Sequence, residues 1–272
     1  MRSLLWSVIV LTLSFPIVAQ NISLATEDDI KNDVALAPCK NSERLAAAEK
    51  LFRSLGATDV DINIVSDKKT KNLVVTKKGT EPGTIIVGAH HDKVSDGCGA
   101  LDNWTGIVNI AHLYGTLRQL ATKKTFEFIA FDREEDGLVG SGVFVSEIAK
   151  PDRGAICSMV NLDSFGIANV QAMENTSTPK LLAAAKAFWK TEKLDLASAS
   201  IANADADSSS FVKAGIPAIT FHALDGNWPN YLHSSKDVVS KVNSRSAFLG
   251  YRLILPFLVN LDSLSCDAMR GK

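Results

Sequence analysis

Five short clusters of histidine and acidic residues recur along this 272-residue chain. They are GAHHD at 88–92, ALDN at 100–103, REED at 133–136, NLD at 161–163 and LHSS at 232–235. Imidazole nitrogens and carboxylate oxygens are donors that zinc takes. A carboxylate that bridges two ions marks a two-metal hydrolytic centre, in which the ions lie roughly 3.5–4 Å apart. The residue types therefore predict metal-dependent chemistry.

The first cluster follows the apolar run TIIVGA at residues 84–89. His90 is the candidate ligand, and Asp92 is predicted to accept a hydrogen bond from its other ring nitrogen. Such carboxylates fix the tautomer of a ligating histidine. Side chains alternate in extended structure, so we expect His91 to point elsewhere.

The next two clusters supply three candidate site residues, Asp102, Glu134 and Glu135. Asp102 lies just before a predicted helix and could be its N-cap, a role that Asp often fills. Asn103 or Thr105 could take that role instead and leave Asp102 free to bridge two metals. Glu134 and Glu135 are adjacent and repel each other unless a cation lies nearby. A solvated acidic loop is the alternative interpretation of this pair.

The last two clusters add another carboxylate and a second histidine. Asp163 ends an apolar run, where a carboxylate is costly unless it is exposed or bound. His233 has Asp237 four residues later, as a possible partner that orients its ring. Trp228 and Tyr231 precede His233 in a loop. They either plug that loop or line a pocket for the first side chain of a substrate.

The elements that must position these clusters alternate between apolar strands and amphipathic helices. Strands are predicted at 60–65, 73–76, 84–89, 125–131, 156–163 and 218–222, and helices at 42–56, after the ALDN cluster, at 138–149, from 178, at 206–214 and at 244–263. Proline 256 is expected to bend or break the last helix. This order predicts an α/β fold, a three-layer α/β/α sandwich on a mixed, mostly parallel central sheet. Sites in such sheets gather at the carboxyl ends of strands, which is where the clusters fall.

The amino terminus has the features of a secretory signal over residues 1–19: a positive Arg2, an apolar stretch from Leu4 to Leu13, and a small residue at Ala19. A membrane anchor is the alternative, but the apolar run is short for spanning a bilayer. We therefore expect export to the periplasm or the medium. Residues 20–38 form a polar leader, and residues 39–272 are predicted to form a single catalytic domain.

Composition narrows the partners and the compartment. The formal net charge is −1 with no basic stripe, which disfavours nucleic acid as a partner. No second long apolar stretch follows the signal, so no membrane association is expected after cleavage. Four cysteines suit an oxidising compartment, and three pairings of Cys39, Cys98, Cys157 and Cys266 are possible. Cys157, inside a strand-like run, is also compatible with a buried free thiol.

Taken in order, GAHHD, GALDN, REEDGLVGS, NLD, AGIPA and LHSSKD resemble the zinc-dependent aminopeptidase family. That family includes the bacterial leucyl aminopeptidases and, more distantly, the glutaminyl cyclases. The resemblance covers roughly residues 70–240. It implies two zinc ions, with ligands His90 and Asp163 for one, Glu135 and His233 for the other, and Asp102 as the bridge. It also implies that Glu134 is the general base, which takes a proton from a metal-bound water.

The implied function is a secreted di-zinc aminopeptidase that acts on peptides with a free amino terminus. One departure is Ser208, where many family members have histidine. The alternatives are a single-zinc glutaminyl-peptide cyclotransferase and a catalytically silent binding ectodomain on the same scaffold. All five ligands and the base are retained, which favours the aminopeptidase. The oligomeric state is left open by the sequence.

Overall fold

The computed structural model describes residues 22–67 and 69–270, so the predicted signal peptide at 1–19 lies outside the described residues. The helices are α1 (Glu27–Val34), α2 (Asn41–Ser54), α3 (Thr105–Leu117), α4 (Val139–Glu147), α5 (Pro179–Thr191), α6 (Ser208–Lys213), α7 (Ser244–Ser263) and α8 (Cys266–Arg270). The strands are β1 (Ile62–Ser66), β2 (Lys71–Lys77), β3 (Thr84–His90), β4 (Thr125–Phe131), β5 (Ile156–Leu162), β6 (Gln171–Met173), β7 (Ala197–Ala199) and β8 (Ala218–His222).

The strands form one mixed sheet in the order β1-β2-β4-β3-β5-β8-β6-β7. Strand β3 is parallel to both β4 and β5, β5 is parallel to β8, and β6 is parallel to β7. The β1–β2, β2–β4 and β6–β8 pairs are antiparallel. The four central strands therefore end at the same edge, and three of the clusters lie at those ends.

Helices cover both faces of this sheet, which confirms the three-layer α/β/α prediction. Successive residues of β2 show the alternation: Leu73 and Val75 join one apolar core, and Val74 joins the other. The larger core packs the sheet against α1, α2, α3, α5 and α7. The smaller core packs it against α4 and α6, through residues such as Phe144 and Phe211. Strands β3 and β5 are buried along nearly their whole length, as their apolar sequences predict.

The polar leader contains a helix that the sequence analysis did not predict. Thr26 caps α1 through a capping box with Asp29. Only Ile30 and Val34, one turn apart, are buried, so the apolar signal is short. The carboxylate of Asp33 lies 2.7 Å from Nε2 of His112 on α3. The leader is therefore part of the folded structure from residue 22 onward.

Three other features complete the fold. Helix α7 continues through Pro256, so this proline does not break the helix. The cysteines pair as Cys39–Cys98 and Cys157–Cys266, so the free-thiol interpretation of Cys157 is wrong. Within the described residues, the helices are all too short or too polar to cross a bilayer.

Candidate metal centre

The five clusters converge at the carboxyl edge of the sheet. His90 is the last residue of β3, and Asp163 comes directly after β5. Glu134 and Glu135 follow the end of β4 by three and four residues. Two further residues, Asp102 and His233, come from loops: Asp102 from the irregular segment before α3, and His233 from the loop between β8 and α7. The topology thus brings together six predicted residues, of which the first, His90, and the last, His233, are 143 positions apart in the chain.

Asp102 lies at the middle of the centre. Its Oδ1 atom lies 3.1 Å from Nε2 of His90, and its Oδ2 atom lies 3.2 Å from Nε2 of His233. Nε2 of His90 is also 3.7 Å from Oδ1 of Asp163, and Nε2 of His233 is 3.1 Å from Oε2 of Glu135. Burial disfavours the charged carboxylate of Asp102, but hydrogen bonds from His233 and His90 outweigh burial and lower its pKa. Each oxygen of Asp102 therefore faces a different histidine and acid.

The segment around Asp102 departs from helical geometry. Asp102 and Asn103 have non-helical backbone angles, and the peptide bond between them is cis. Asn103 serves as the helix cap, because its Oδ1 accepts a hydrogen bond from the N–H of Gly106 at 3.0 Å. Its Nδ2 donates to the carbonyl oxygen of Leu162 at 2.9 Å, beside Asp163. Asn103 therefore takes the capping role, which is one of the two alternatives that the sequence offered, and the carboxylate of Asp102 is free of it.

Asp92 ties two of the clusters together. Its carboxylate accepts hydrogen bonds from the N–H groups of Glu134 at 2.9 Å and of Glu135 at 3.1 Å. Nδ1 of His90 lies 3.5 Å from this carboxylate but closer, at 3.2 Å, to the main-chain carbonyl oxygen of Asp92. Side-chain alternation turns His91 away, and its Nε2 lies 3.1 Å from the carbonyl oxygen of Lys71. Asp92 therefore supports the loop that follows β4 as well as the predicted histidine.

Asp237 has a different partner from the predicted one. Its carboxylate accepts hydrogen bonds from the N–H of Leu101 at 2.6 Å and of Asp102 at 3.1 Å. The prediction that Asp237 orients His233 is therefore wrong. The error arose because spacing along the chain suggested a local contact, whereas the carboxylate reaches across to the segment of Asp102.

The centre has more carboxylates than histidines, and this excess shifts the pKa values of its side chains. Burial raises the pKa of Glu134 well above its usual range, and the charge of Asp163 raises it further. Hydrogen bonds to Asp102 and Glu135 raise the pKa of His233 to about 10. Burial would lower the pKa of His90, but the acids around it raise it well above the usual value. The centre therefore attracts positive charge, whether as protons or as a cation.

Three groups of donors could each hold a metal ion, because the donor atoms within a group all lie within 4.8 Å of one another. They are His90, Asp102 and Asp163; Asp102, Glu135 and His233; and His90, Glu134 and Glu135. Oε1 of Glu135 is buried and has no hydrogen-bond partner within 22–67 and 69–270, so it is available to an ion. Nitrogen and oxygen donors of this kind suit zinc. The side chains present therefore fit a divalent metal.

A cavity of about 440 Å³ opens beside the centre and is lined by both metal-binding and apolar side chains. The apolar lining includes Leu138, Met173, Ile201, Leu224, Trp228 and Leu232, and Lys213 and Asp205 also line the cavity. Trp228 lines this cavity, and its contact with the first side chain of a substrate stays a prediction. Tyr231 packs against the apolar cluster of Leu101, Leu224 and Leu232 rather than lining the cavity.

Sequence reasoning missed several residues of this region. Met173 and Ile201 come from a three-residue strand and a loop, which have no periodic signal. Arg44 is fully buried behind the centre, although arginine in an amphipathic helix predicts an exposed side chain. Ser208, the departure already noted in the sequence, is buried, and its hydroxyl lies 2.6 Å from the hydroxyl of Thr220. Met173, Ile201 and Arg44 are identified only by the tertiary structure.

Comparison with known proteins gives consistent matches. The model of peptidase family M28 matches residues 72–257, more than half of the chain. A probable leucine aminopeptidase 2 of Aspergillus oryzae is 29% identical over 135 residues, which is 47% of this chain and 27% of that protein. Aminopeptidase YwaD of Bacillus subtilis is 32% identical over 112 residues, or 41% of this chain and 23% of that protein. The matched part thus spans about a quarter of these curated relatives.

Solved structures share the fold at low identity. LapA of Legionella pneumophila superposes with a TM-score of 0.76 at 20% identity, covering 88% of this chain and 74% of that chain. The zinc aminopeptidase BSAP of Bacillus subtilis gives 0.64 at 20% identity, covering 72% and 52%. A glutaminyl cyclase of an Acidobacteriales bacterium gives 0.70 at 18% identity, covering 92% and 99%.

Proposed function

Because this chain belongs to peptidase family M28, we propose that it is a di-zinc aminopeptidase that removes amino-terminal residues from peptides. One observation carries the proposal: the two oxygens of Asp102 face separate donor pairs, His90 with Asp163 and His233 with Glu135. A carboxylate in that position suits two ions better than one. The relatives named as aminopeptidases support the reaction class.

The proposed ligands divide between the two ions. His90 and Asp163 would hold one, Glu135 and His233 would hold the other, and Asp102 would be shared between them. Zinc ions held there supply Lewis acidity that polarises the scissile carbonyl and acidifies the attacking water. Asp92 and Asp237 hold the backbones of these ligands in place through hydrogen bonds to main-chain N–H groups.

Glu134 is the proposed general base. Its carboxylate takes a proton from the attacking water and passes it to the nitrogen of the leaving amine. The products are a free amino acid and a peptide shortened by one residue. The position of Glu134 beside the donor groups supports this role, because its side chain lines the same cavity as His90 and His233.

The cavity supports a substrate with a free amino terminus. Glu134 and Asp205 are the acidic lining residues that are not assigned to zinc, and their carboxylates favour the positive α-amino group. The apolar wall, which includes Met173, Leu224 and Trp228, favours an apolar first side chain. Peptide substrates of this kind are the proposed partners.

Export of the protein in a single-domain mature form is also proposed. Two disulfides suit an oxidising compartment, which supports the predicted signal at residues 1–19. Amino-terminal sequencing of the protein recovered outside the cytoplasm tests this. The expected first residue is Gln20, and retention of residues 1–19 would contradict cleavage.

Hydrolysis of matched substrates tests the proposed activity. The purified protein should release nitroaniline from leucine p-nitroanilide but not from its N-acetylated form, lose this activity in a chelator, and regain it with zinc. A peptide with amino-terminal glutamine should be hydrolysed rather than cyclised. Cyclisation without hydrolysis would instead support the glutaminyl cyclase alternative, whose fold the chain shares. No turnover of either substrate would favour the silent binding module.

A further inference from the structure

Arg44 lies behind the metal centre and is shielded from solvent. It belongs to the first turn and a half of α2, and its side chain is completely buried. A buried guanidinium is rare unless its donors are satisfied. The partners of Arg44 therefore indicate what it does.

The acceptors of Arg44 are main-chain carbonyl oxygens of three separate segments. Its Nε donates to the carbonyl of His91. Its Nη1 donates to the carbonyls of Pro38 at 3.0 Å and Cys98 at 2.9 Å, and its Nη2 donates to that of Gly99 at 3.2 Å. His91 directly follows one proposed ligand, and Gly99 precedes the segment that bears Asp102. One planar fork thus joins the two ends of the 91–99 loop.

Other contacts fasten the same loop to the start of α2. The side chain of Asn41 exchanges two hydrogen bonds with the main chain of Lys93, at 2.8 and 2.9 Å. The disulfide of Cys39 with Cys98 ties the loop to the segment that leads into that helix, two residues before its start. The guanidinium of Arg44 also lies 5.5 Å from the ring centroid of Trp104, which ends the segment of Asp102. Contacts from residues 39–44 therefore hold the loop near both of its ends.

We propose that Arg44 is a positioning residue, whose fork sets the distance between His90 and Asp102 and so the affinity of the centre for zinc. This inference rests on the zinc centre proposed above. Lysine cannot replace the fork, because an ammonium is a compact charge without the planar five-donor geometry. Partners that orient ligands contribute about ten- to hundredfold in metal affinity when they act directly on them.

The charge and the geometry of Arg44 predict opposite effects on zinc. A positive charge beside the centre repels a second cation, so loss of the charge alone would strengthen zinc binding. Loss of the fork would let the loop ends move and would weaken zinc binding. Arg44→Met removes both the charge and the fork, whereas Arg44→Lys removes only the fork. Positioning therefore predicts weaker binding in both variants.

Zinc affinity of the full-length mature protein, measured by competition with a chromophoric chelator, tests the proposal. Arg44→Lys and Arg44→Met should each bind zinc about ten- to hundredfold more weakly than the parent protein. The visible spectrum of the cobalt form should change, because it reports ligand geometry independently of turnover. Arg53→Met is the matched control: Arg53 lies on the same helix and pairs with Glu49 and Asp59 at the surface.

Results other than weaker zinc binding would overturn the proposal. Unchanged affinity in Arg44→Lys with tighter binding in Arg44→Met would show that only the charge matters, and unchanged affinity in both would show that the fork is not needed. Circular dichroism of the metal-free proteins checks folding. If Arg44→Met does not fold, Arg44→Lys decides by its affinity and cobalt spectrum. Failure of the parent protein itself to bind zinc would refute the proposed function and is thus a distinct outcome.

Discussion

Substituting each of the two adjacent glutamates by glutamine separates general-base catalysis from metal binding. Glu134 and Glu135 share a loop, and both backbones are held by Asp92. Glutamine keeps the size of each side chain and leaves those main-chain bonds in place. Glu134 has no assigned metal in the proposal, whereas Oε2 of Glu135 lies 3.1 Å from Nε2 of His233. The two variants should therefore fail in different ways.

The expected loss of rate in Glu134→Gln follows from the loss of the general base, because an amide cannot accept the proton of the attacking water. A positioned general base contributes about 10²–10⁴ in rate, which corresponds to roughly 3–5 kcal/mol of transition-state free energy. Glu134 is only partly exposed, and solvent replaces it poorly, so the loss in kcat should be at least about a hundredfold. KM and zinc content should remain near those of the parent protein.

Glu135→Gln should instead lose zinc from one position. Steady-state kinetics with leucine p-nitroanilide and zinc content after dialysis, measured by mass spectrometry, compare the two variants directly. Added zinc should restore part of the activity of Glu135→Gln and none of that of Glu134→Gln. A Glu134→Gln enzyme within about tenfold of the parent rate would refute the base assignment. Full zinc retention by Glu135→Gln would refute its role as a ligand.

Three more substitutions test other parts of the account. Asn175→Ala should raise KM by up to about tenfold, because the Asn175 amide bonds to the main chain of Ile201 at 3.0 Å and of Ala204 at 2.8 Å and so holds the cavity wall. Trp228→Ala should lower the preference for leucine over alanine p-nitroanilide by about tenfold in kcat/KM. Ile30→Ala should reduce the free energy of unfolding in urea by about 2–5 kcal/mol, because Ile30 is completely buried in the core.

The results that would contradict these predictions are specific to each. An unchanged KM in Asn175→Ala would show that the loop holds its position without the amide. Equal loss of activity on both anilides in Trp228→Ala would show that the ring does not contact the first side chain. Unfolding of Ile30→Ala at the urea midpoint of the parent protein would show that the leader helix does not stabilise the domain.

Strong periodic signals explain why so much of the fold could be predicted from the sequence. Strands β4 and β8 match their predicted bounds, because both are short, mostly apolar segments that begin directly after a charged residue or a proline. Helix α1 was missed because its two buried residues give no sustained pattern in a charged segment. Strands β6 and β7 have three residues each, too few for an alternation.

The candidate site also contains residues that the sequence predicts and residues that it does not. The clusters at 88–92 and 133–136 follow strands directly, so the topology of the sheet predicts that they meet. Asp237 and Arg44 act on main-chain atoms far away in the chain, through contacts that depend on the folded path of two loops. Side-chain type and spacing cannot specify such contacts. The predicted orientation of His233 failed for this reason, and the buried position of Arg44 had no signal.

The central claim is that two metal ions flank the carboxylate of Asp102. Anomalous diffraction at the zinc edge, on crystals of the full mature protein grown with zinc, tests this most directly. The account predicts two peaks, one between Asp102, His90 and Asp163 and the other between Asp102, His233 and Glu135. A single peak, or zinc bound away from Asp102, would contradict it.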